Sequence, residues 1–166
     1  MLPQRRLGLG LGSLGIVLLI LYIFLPSNDC PSSICLNPVL SAQKRANAQV
    51  THMNQTQKYL LLTDKKLIAV FEREKCFRQE QSYIFICQTV DLESAFPRAF
   101  SYALSRKEKL KSYVAGVFIV GKVNSQKTAE VIICESEVPG TQQLDRPIDG
   151  QTCGSGSIRV NGAVIP

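Results

Sequence analysis

Ser112-Tyr113-Val114-Ala115-Gly116-Val117-Phe118-Ile119-Val120 carries no charge and, after Ser112, almost no polar group. A strand with one wet face alternates polar and apolar side chains, so an unbroken apolar run of this length predicts a strand buried on both faces. Residues 128–134 form a second, largely apolar run that includes Glu130. The polar turn at Asn124-Ser125 between the two makes them a central hairpin.

Working outward, residues 139–157 are rich in Gly, Pro, Asp and Thr, which favour turns for separate backbone reasons, and Ile158-Arg159-Val160 can add a last strand. Upstream, Tyr83-Ile84-Phe85-Ile86-Cys87 and Leu67-Ile68-Ala69-Val70-Phe71 are short, rich in aromatic and β-branched residues, and flanked by charge. Both read as strands. Leu92, Phe96, Phe100 and Leu104 recur at steps of four, which predicts a short helix across residues 91–105 interrupted at Pro97. From about Val39 to Leu62, Gly and Pro are absent, and Leu40, Ala46, Val50, Met53, Tyr59 and Leu60 fall at three- and four-residue steps. This predicts an amphipathic helix with Gln43, Lys44, Asn47, Gln49 and Gln55 on its polar side.

The N-terminus is of another kind. Residues 7–25 carry no charge and, at about 1.5 Å per residue, span roughly 28 Å, close to the thickness of a bilayer's hydrocarbon core. Arg5 and Arg6 precede the span and the first charge after it is Asp29, so the positive-inside rule predicts residues 1–6 in the cytoplasm and the rest across the membrane. A cleaved signal peptide has a shorter apolar core and a small-residue cleavage site, which Leu25-Pro26-Ser27-Asn28 does not supply. Arg5-Arg6 lacks the context of a twin-arginine signal, and Ser27-Asn28-Asp29 lacks the small apolar residues expected before a lipidated cysteine at Cys30. Pro26, Pro31 and Pro38 prevent a continuous helix from passing undistorted, so residues 26–40 read as a linker. The expected organisation is a transmembrane helix at 7–25, this linker, and one extracytoplasmic domain over 41–166. The chain is then a single-pass protein of the plasma (inner) membrane, its domain periplasmic or extracellular.

Beyond Arg5 and Arg6, 17 of the 19 basic side chains face 13 acidic ones, a mild net charge of +4. No basic run carries the interleaved aromatics of a nucleic-acid site, so nucleic acid is not an expected partner. The six cysteines, Cys30, Cys35, Cys76, Cys87, Cys134 and Cys153, are an even set in a chain whose topology points to an oxidising compartment. Cys134 and Cys153 flank a loop with few apolar residues to pack it down, and a bridge there stabilises by roughly 3 kcal/mol through chain entropy. It is the preferred pairing. Cys76 and Cys87 flank a polar turn centred near Gln81 and face each other if a hairpin forms in that register, while Cys30 and Cys35 can close a small loop around Pro31. Six cysteines can pair in fifteen ways, so the set stays open.

Cys76, Cys87, Cys134 and Cys153 with His52 could supply four metal ligands, but no pair has the close spacing of a zinc knuckle, and no metal or other cofactor is expected. His52 lies in the predicted helix with no nucleophile motif to serve, and no Cys-x-x-Cys suggests thiol exchange. Glu135 and Glu137 share a face of an extended segment by geometry alone. Asn54-Gln55-Thr56 matches a glycosylation sequon. The chain is not expected to be an enzyme.

Three segments carry a resemblance: Ala48-Gln49-Val50-Thr51-His52-Met53-Asn54-Gln55-Thr56-Gln57-Lys58-Tyr59; Leu110-Lys111-Ser112-Tyr113-Val114-Ala115-Gly116-Val117-Phe118; and Ile132-Ile133-Cys134-Glu135 through Thr152-Cys153-Gly154-Ser155-Gly156. Together they resemble the cyanobacterial type IV pilin-like G and H proteins, relatives of type IV pilins and secretion pseudopilins. The resemblance implies an α+β fold, with a helix laid against an antiparallel sheet and closed by a disulfide-bonded loop. It also implies assembly into a pilus or pseudopilus rather than catalysis. The N-terminus departs from pilins, whose short basic leader ends in Gly before Phe-Thr-Leu-Ile-Glu. Here Gly15 leads into Ile16-Val17-Leu18-Leu19-Ile20, and no acidic residue precedes Asp29.

The expectation is a membrane-anchored, non-enzymatic minor-pilin or pseudopilin-related protein, its apolar segment a permanent tether rather than a polymerisation helix. Its expected partners are membrane lipid and other pilus or secretion assembly proteins. The alternative is a tethered binding module that uses the 139–153 loop.

Overall fold

A computed structural model describes residues 37–123 and 125–160, which belong to one compact unit. The span expected at 7–25, the linker to residue 36 and the Cys30–Cys35 pair lie outside the described residues. Among those described, no helix is long and apolar enough to cross a membrane.

Helix α1 spans Pro38–Thr63. Its start follows from two neighbours: Pro38 stands in the first turn, where an N–H would have no helical partner, and the Asn37 side chain accepts from Val39 N at 3.0 Å. Ala42, Ala46, Val50, Met53, Leu60 and Leu61 are buried along one side, together with the polar Thr51, Asn54 and Gln57. Leu40 and Tyr59, expected on the apolar side, are exposed instead.

Residues 67–71 are not a strand. Asp64 ends α1 and then accepts from Lys66 N at 3.0 Å, capping a second helix, α2, over Lys65–Phe71. A π-helical turn, Glu72–Cys76, continues it. In this short apolar run only Ile68 is fully buried, with Phe71 partly buried three residues on, a helical step that outweighs the β-branched composition.

A six-stranded antiparallel sheet follows in simple chain order: β1 Arg78–Gln79, β2 Tyr83–Val90, β3 Arg98–Ser105, β4 Tyr113–Val120, β5 Thr128–Ser136 and β6 Ser157–Arg159. The hairpin read from residues 112–134 is present as β4 and β5, with Val117 opposite Val131. The helix expected over 91–105 is absent, and β3 occupies most of that stretch. Steps of four fit a strand as well as a helix, because Phe100 and Leu104 lie on one face at period two, with Tyr102 between them. Pro97 lies just before the strand, and its carbonyl accepts from Ile119 N at 3.2 Å.

The two sheet faces have different covers. Ala99, Ala103, Ala115 and Val117 point to one side and pack with α1 and α2. Phe100, Tyr102, Val114, Phe118, Ile132 and Cys134 point to the other and pack with Leu144 and Cys153 of the loop between β5 and β6. This double cover explains the unbroken apolar run of β4.

Candidate functional site

The β5–β6 loop is the largest irregular surface of the described domain, and it is ordered by its own contacts. Cys134 on β5 is bonded to Cys153, with Cα atoms 5.9 Å apart. Beneath the loop the Phe100 and Phe118 rings meet edge to face at 5.8 Å between centroids. A side chain at Gly116 would bring its Cβ to 2.8 Å from the Phe118 ring and 3.4 Å from Pro147, so glycine leaves room there for ring and loop together. Arg146 lies 5.4 Å from the Phe100 centroid and donates to Gln88 Oε1 at 2.7 Å, tying the loop to β2. Burial raises the Tyr102 phenol's pKa, an effect partly offset by the hydrogen bond and charge of Arg146.

The loop's tip is a local turn. The Asp149 carboxylate accepts from Gln151 N at 2.7 Å and Thr152 N at 2.8 Å, which holds its pKa below the usual carboxylate range, and Ile148 N donates to Thr152 O at 2.9 Å. At Gly154 the chain passes so close that an added Cβ would sit 2.5 Å from the Arg146 carbonyl. The outer surface presents Val138 and Ile148, 63% and 66% exposed.

The helix-covered face holds a buried polar cluster instead. Ser101 Oγ donates to Gln57 Oε1 at 2.6 Å, while Gln57 Nε2 donates to Glu72 Oε1 at 3.2 Å and reaches the Phe100 carbonyl at 3.4 Å. Thr89 Oγ1 also donates to Glu72. Cys76 is bonded to Cys87 beside this cluster, with Cα atoms 5.4 Å apart. The bridge continues the register of Arg78 opposite Phe85, although Cys76 stands in the π-helical turn and not in a strand. Pattern reading missed the cluster. Thr51, Asn54 and Gln57 recur at three-residue steps beside Val50 and Met53, the one signal that they share the buried face.

The remaining candidates separate in space and role. His52 is exposed on α1, and the four described cysteines are joined in two bridges, so these five residues do not converge as ligands. Among the described residues no group of metal-ligating side chains forms a site. Glu135 pairs with Lys111 Nζ at 2.7 Å, while Glu137 is exposed and its backbone N–H donates to Gly156 O at 3.1 Å. Asn54 is 1% exposed, so the sequon is closed to a glycan in the folded domain. Its Nδ2 has no hydrogen-bond partner among the described residues. Burial raises the Tyr113 pKa to about 12, helped by the Glu135 charge, and raises that of Tyr83 as well. Both phenols are neutral at physiological pH. The arrangement offers shape and surface.

A sequence model of the type IV pilin-like G and H proteins matches residues 43–157, from early α1 to the start of β6. The chain belongs to that family. No curated protein and no solved structure matches it. The pilin-like match includes most of α1, strands β2–β5 and the disulfide-bonded loop, and so both covers of the sheet.

Proposed function

We propose that this pilin-like protein is a non-enzymatic, membrane-anchored component of a type IV pilus or secretion-type assembly, acting through the surfaces of its domain. The family match across residues 43–157 is the observation that carries this reading. The uncharged stretch at 7–25, with Arg5 and Arg6 before it, supports a plasma-membrane tether with the N-terminus in the cytoplasm and the domain periplasmic or extracellular. Two disulfides suit an oxidising space. With Ile16-Val17-Leu18-Leu19-Ile20 after Gly15 and no acidic residue between there and Asp29, the segment favours a minor-pilin or pseudopilin-related, non-polymerising role with pilus or secretion proteins as partners. Crosslinking in native membranes should capture pilus or secretion components, and the purified protein should retain residues 1–25 by mass spectrometry. A monomer without such partners would sink the assembly role, and a cut near Gly12 or Gly15 would restore polymerisation.

The exposure of Ile148 and Val138 on a disulfide-bonded loop favours a second reading, a tethered binding module. Deleting residues 139–152 would uncover the core beneath the loop, so Ile148→Ser is the cleaner test. Loss of partner capture with an unchanged melting temperature would support the module.

A further inference from the structure

Two neighbouring hollows, of about 560 and 540 Å³, run along the first half of α1 and share Ala42 and Ser82 in their walls. One is walled by α1 and the β1–β2 turn and includes Arg45; the other is walled by Pro38, Val39 and the β3–β4 turn, Arg106-Lys107-Glu108-Lys109. Arg45, Arg106, Lys107 and Lys109 are exposed and form no ion pair among the described residues. Arg106 is held by donating Nη1 to the Glu80 carbonyl at 2.7 Å, which leaves its charge unneutralised. The groove therefore carries more basic than acidic side chains, Arg45, Arg78, Arg106, Lys107 and Lys109 against Glu80 and Glu108, on walls that mix polar and apolar residues.

We propose that this groove docks on the anionic phospholipid headgroups of the membrane that carries the protein. The inference rests on the anchored reading above. It is carried by the excess of positive charge, which Glu108 offsets only in part, and by chain length. Residues 26–36 reach no further than about 40 Å even fully extended, so α1's first turn starts within that distance of a span ending at Leu25. Each basic side chain brought to an anionic bilayer surface raises partition roughly fivefold, an effect that fades within a Debye length of about 8–10 Å. Lys107 and Lys109, offset in part by Glu108 between them, thus raise docking by about fivefold net. Headgroup phosphates meet the cations, and the hollows beside Ala42 and Val39 admit headgroup atoms between them.

The test uses the full chain in nanodiscs of phosphatidylcholine, with and without about one third phosphatidylglycerol, and reads amide exchange across residues 105–112. A wash in about 0.5 M salt first checks that the chain stays with the disc; its release would overturn the anchored reading. With the chain retained, protection of residues 105–112 only in anionic discs, erased by salt and by Lys107→Glu with Lys109→Glu, is the expected result. Lys122→Glu with Lys127→Glu, in the β4–β5 turn, should leave that protection intact. Equal exchange in both discs would overturn the docking while leaving the anchor untouched. Protection conferred by an added acidic polysaccharide and not by phosphatidylglycerol would overturn it in favour of a polymer ligand.

Discussion

The two faces of the sheet are covered by different means. On one, α1 lies over Ala99, Ala103 and Ala115, whose small side chains let a regular helix come close, and Gln57 joins helix, sheet and Glu72 in one polar cluster. On the other, an irregular loop lies over large rings and depends on the Cys134–Cys153 bond, the Arg146 contacts and the Asp149 turn. A helix satisfies its own backbone and needs only a complementary surface. A loop must be held at particular points, and those points are its vulnerabilities.

The contrast can be broken most severely at Phe100, which is 1% exposed in the loop-covered core. Phe100→Ala should cost about 3–5 kcal/mol in chemical denaturation, a large share of the stability of a domain this size. Next, Cys134→Ser with Cys153→Ser should cost roughly 3 kcal/mol and increase binding of a hydrophobic dye, with strand circular dichroism retained at low temperature. Loss of helix signal in step with the dye response would show that the two covers are not separable. On the helix face, Gln57→Ala removes the acceptor of the buried Ser101 hydroxyl and one of the donors to the half-buried Glu72, and should cost about 2 kcal/mol by urea midpoint. A cost near zero would mean the polar cluster adds nothing to the helix cover.

The smallest expected effect is alkaline. Tyr113, 4% exposed on the helix-covered face, has its pKa raised from 10 to about 12, so the folded state prefers the neutral phenol. Its contribution is complete below pH 10 and is lost as pH rises through about 12, amounting to about 1 kcal/mol at pH 11. Tyr83 acts in the same direction. Tyr113→Phe should flatten this decline relative to wild type in melts between pH 9 and 11; an unchanged slope would assign the decline to other groups.

How legible these covers are depends on how many residues each pattern spans. The nine residues at 112–120 admit one explanation, and the long Gly- and Pro-free stretch that became α1 is almost as clear. Residues 67–71 are too short for composition to outweigh the Asp64 cap. Leu92, Phe96, Phe100 and Leu104 satisfy both periods, and only the partner strands at Gln88 and Gly116 choose between them. The loop's boundaries follow from its cysteines and turn residues. Arg146 over Phe100 does not, since nothing local marks a charged side chain for a ring 46 positions earlier. The buried set Thr51, Asn54 and Gln57 is hidden for a related reason: hydrophobic periodicity treats polar residues as wet, and only the fold reveals the distant partners of Gln57.

Strand order that equals chain order also bears on how the domain assembles in time. Each strand from β2 onward finds its neighbour already synthesised when it emerges, so the sheet can zip forward without waiting for distant sequence. Cys153 comes near the end of that sequence, and the oxidation that locks the loop is consequently a late event. A ribosome or translocation channel that stalls before residue 153 holds a sheet with one face still open. The interval between extrusion of β5 and closure of the bridge is the period in which this protein is most exposed to aggregation and proteolysis.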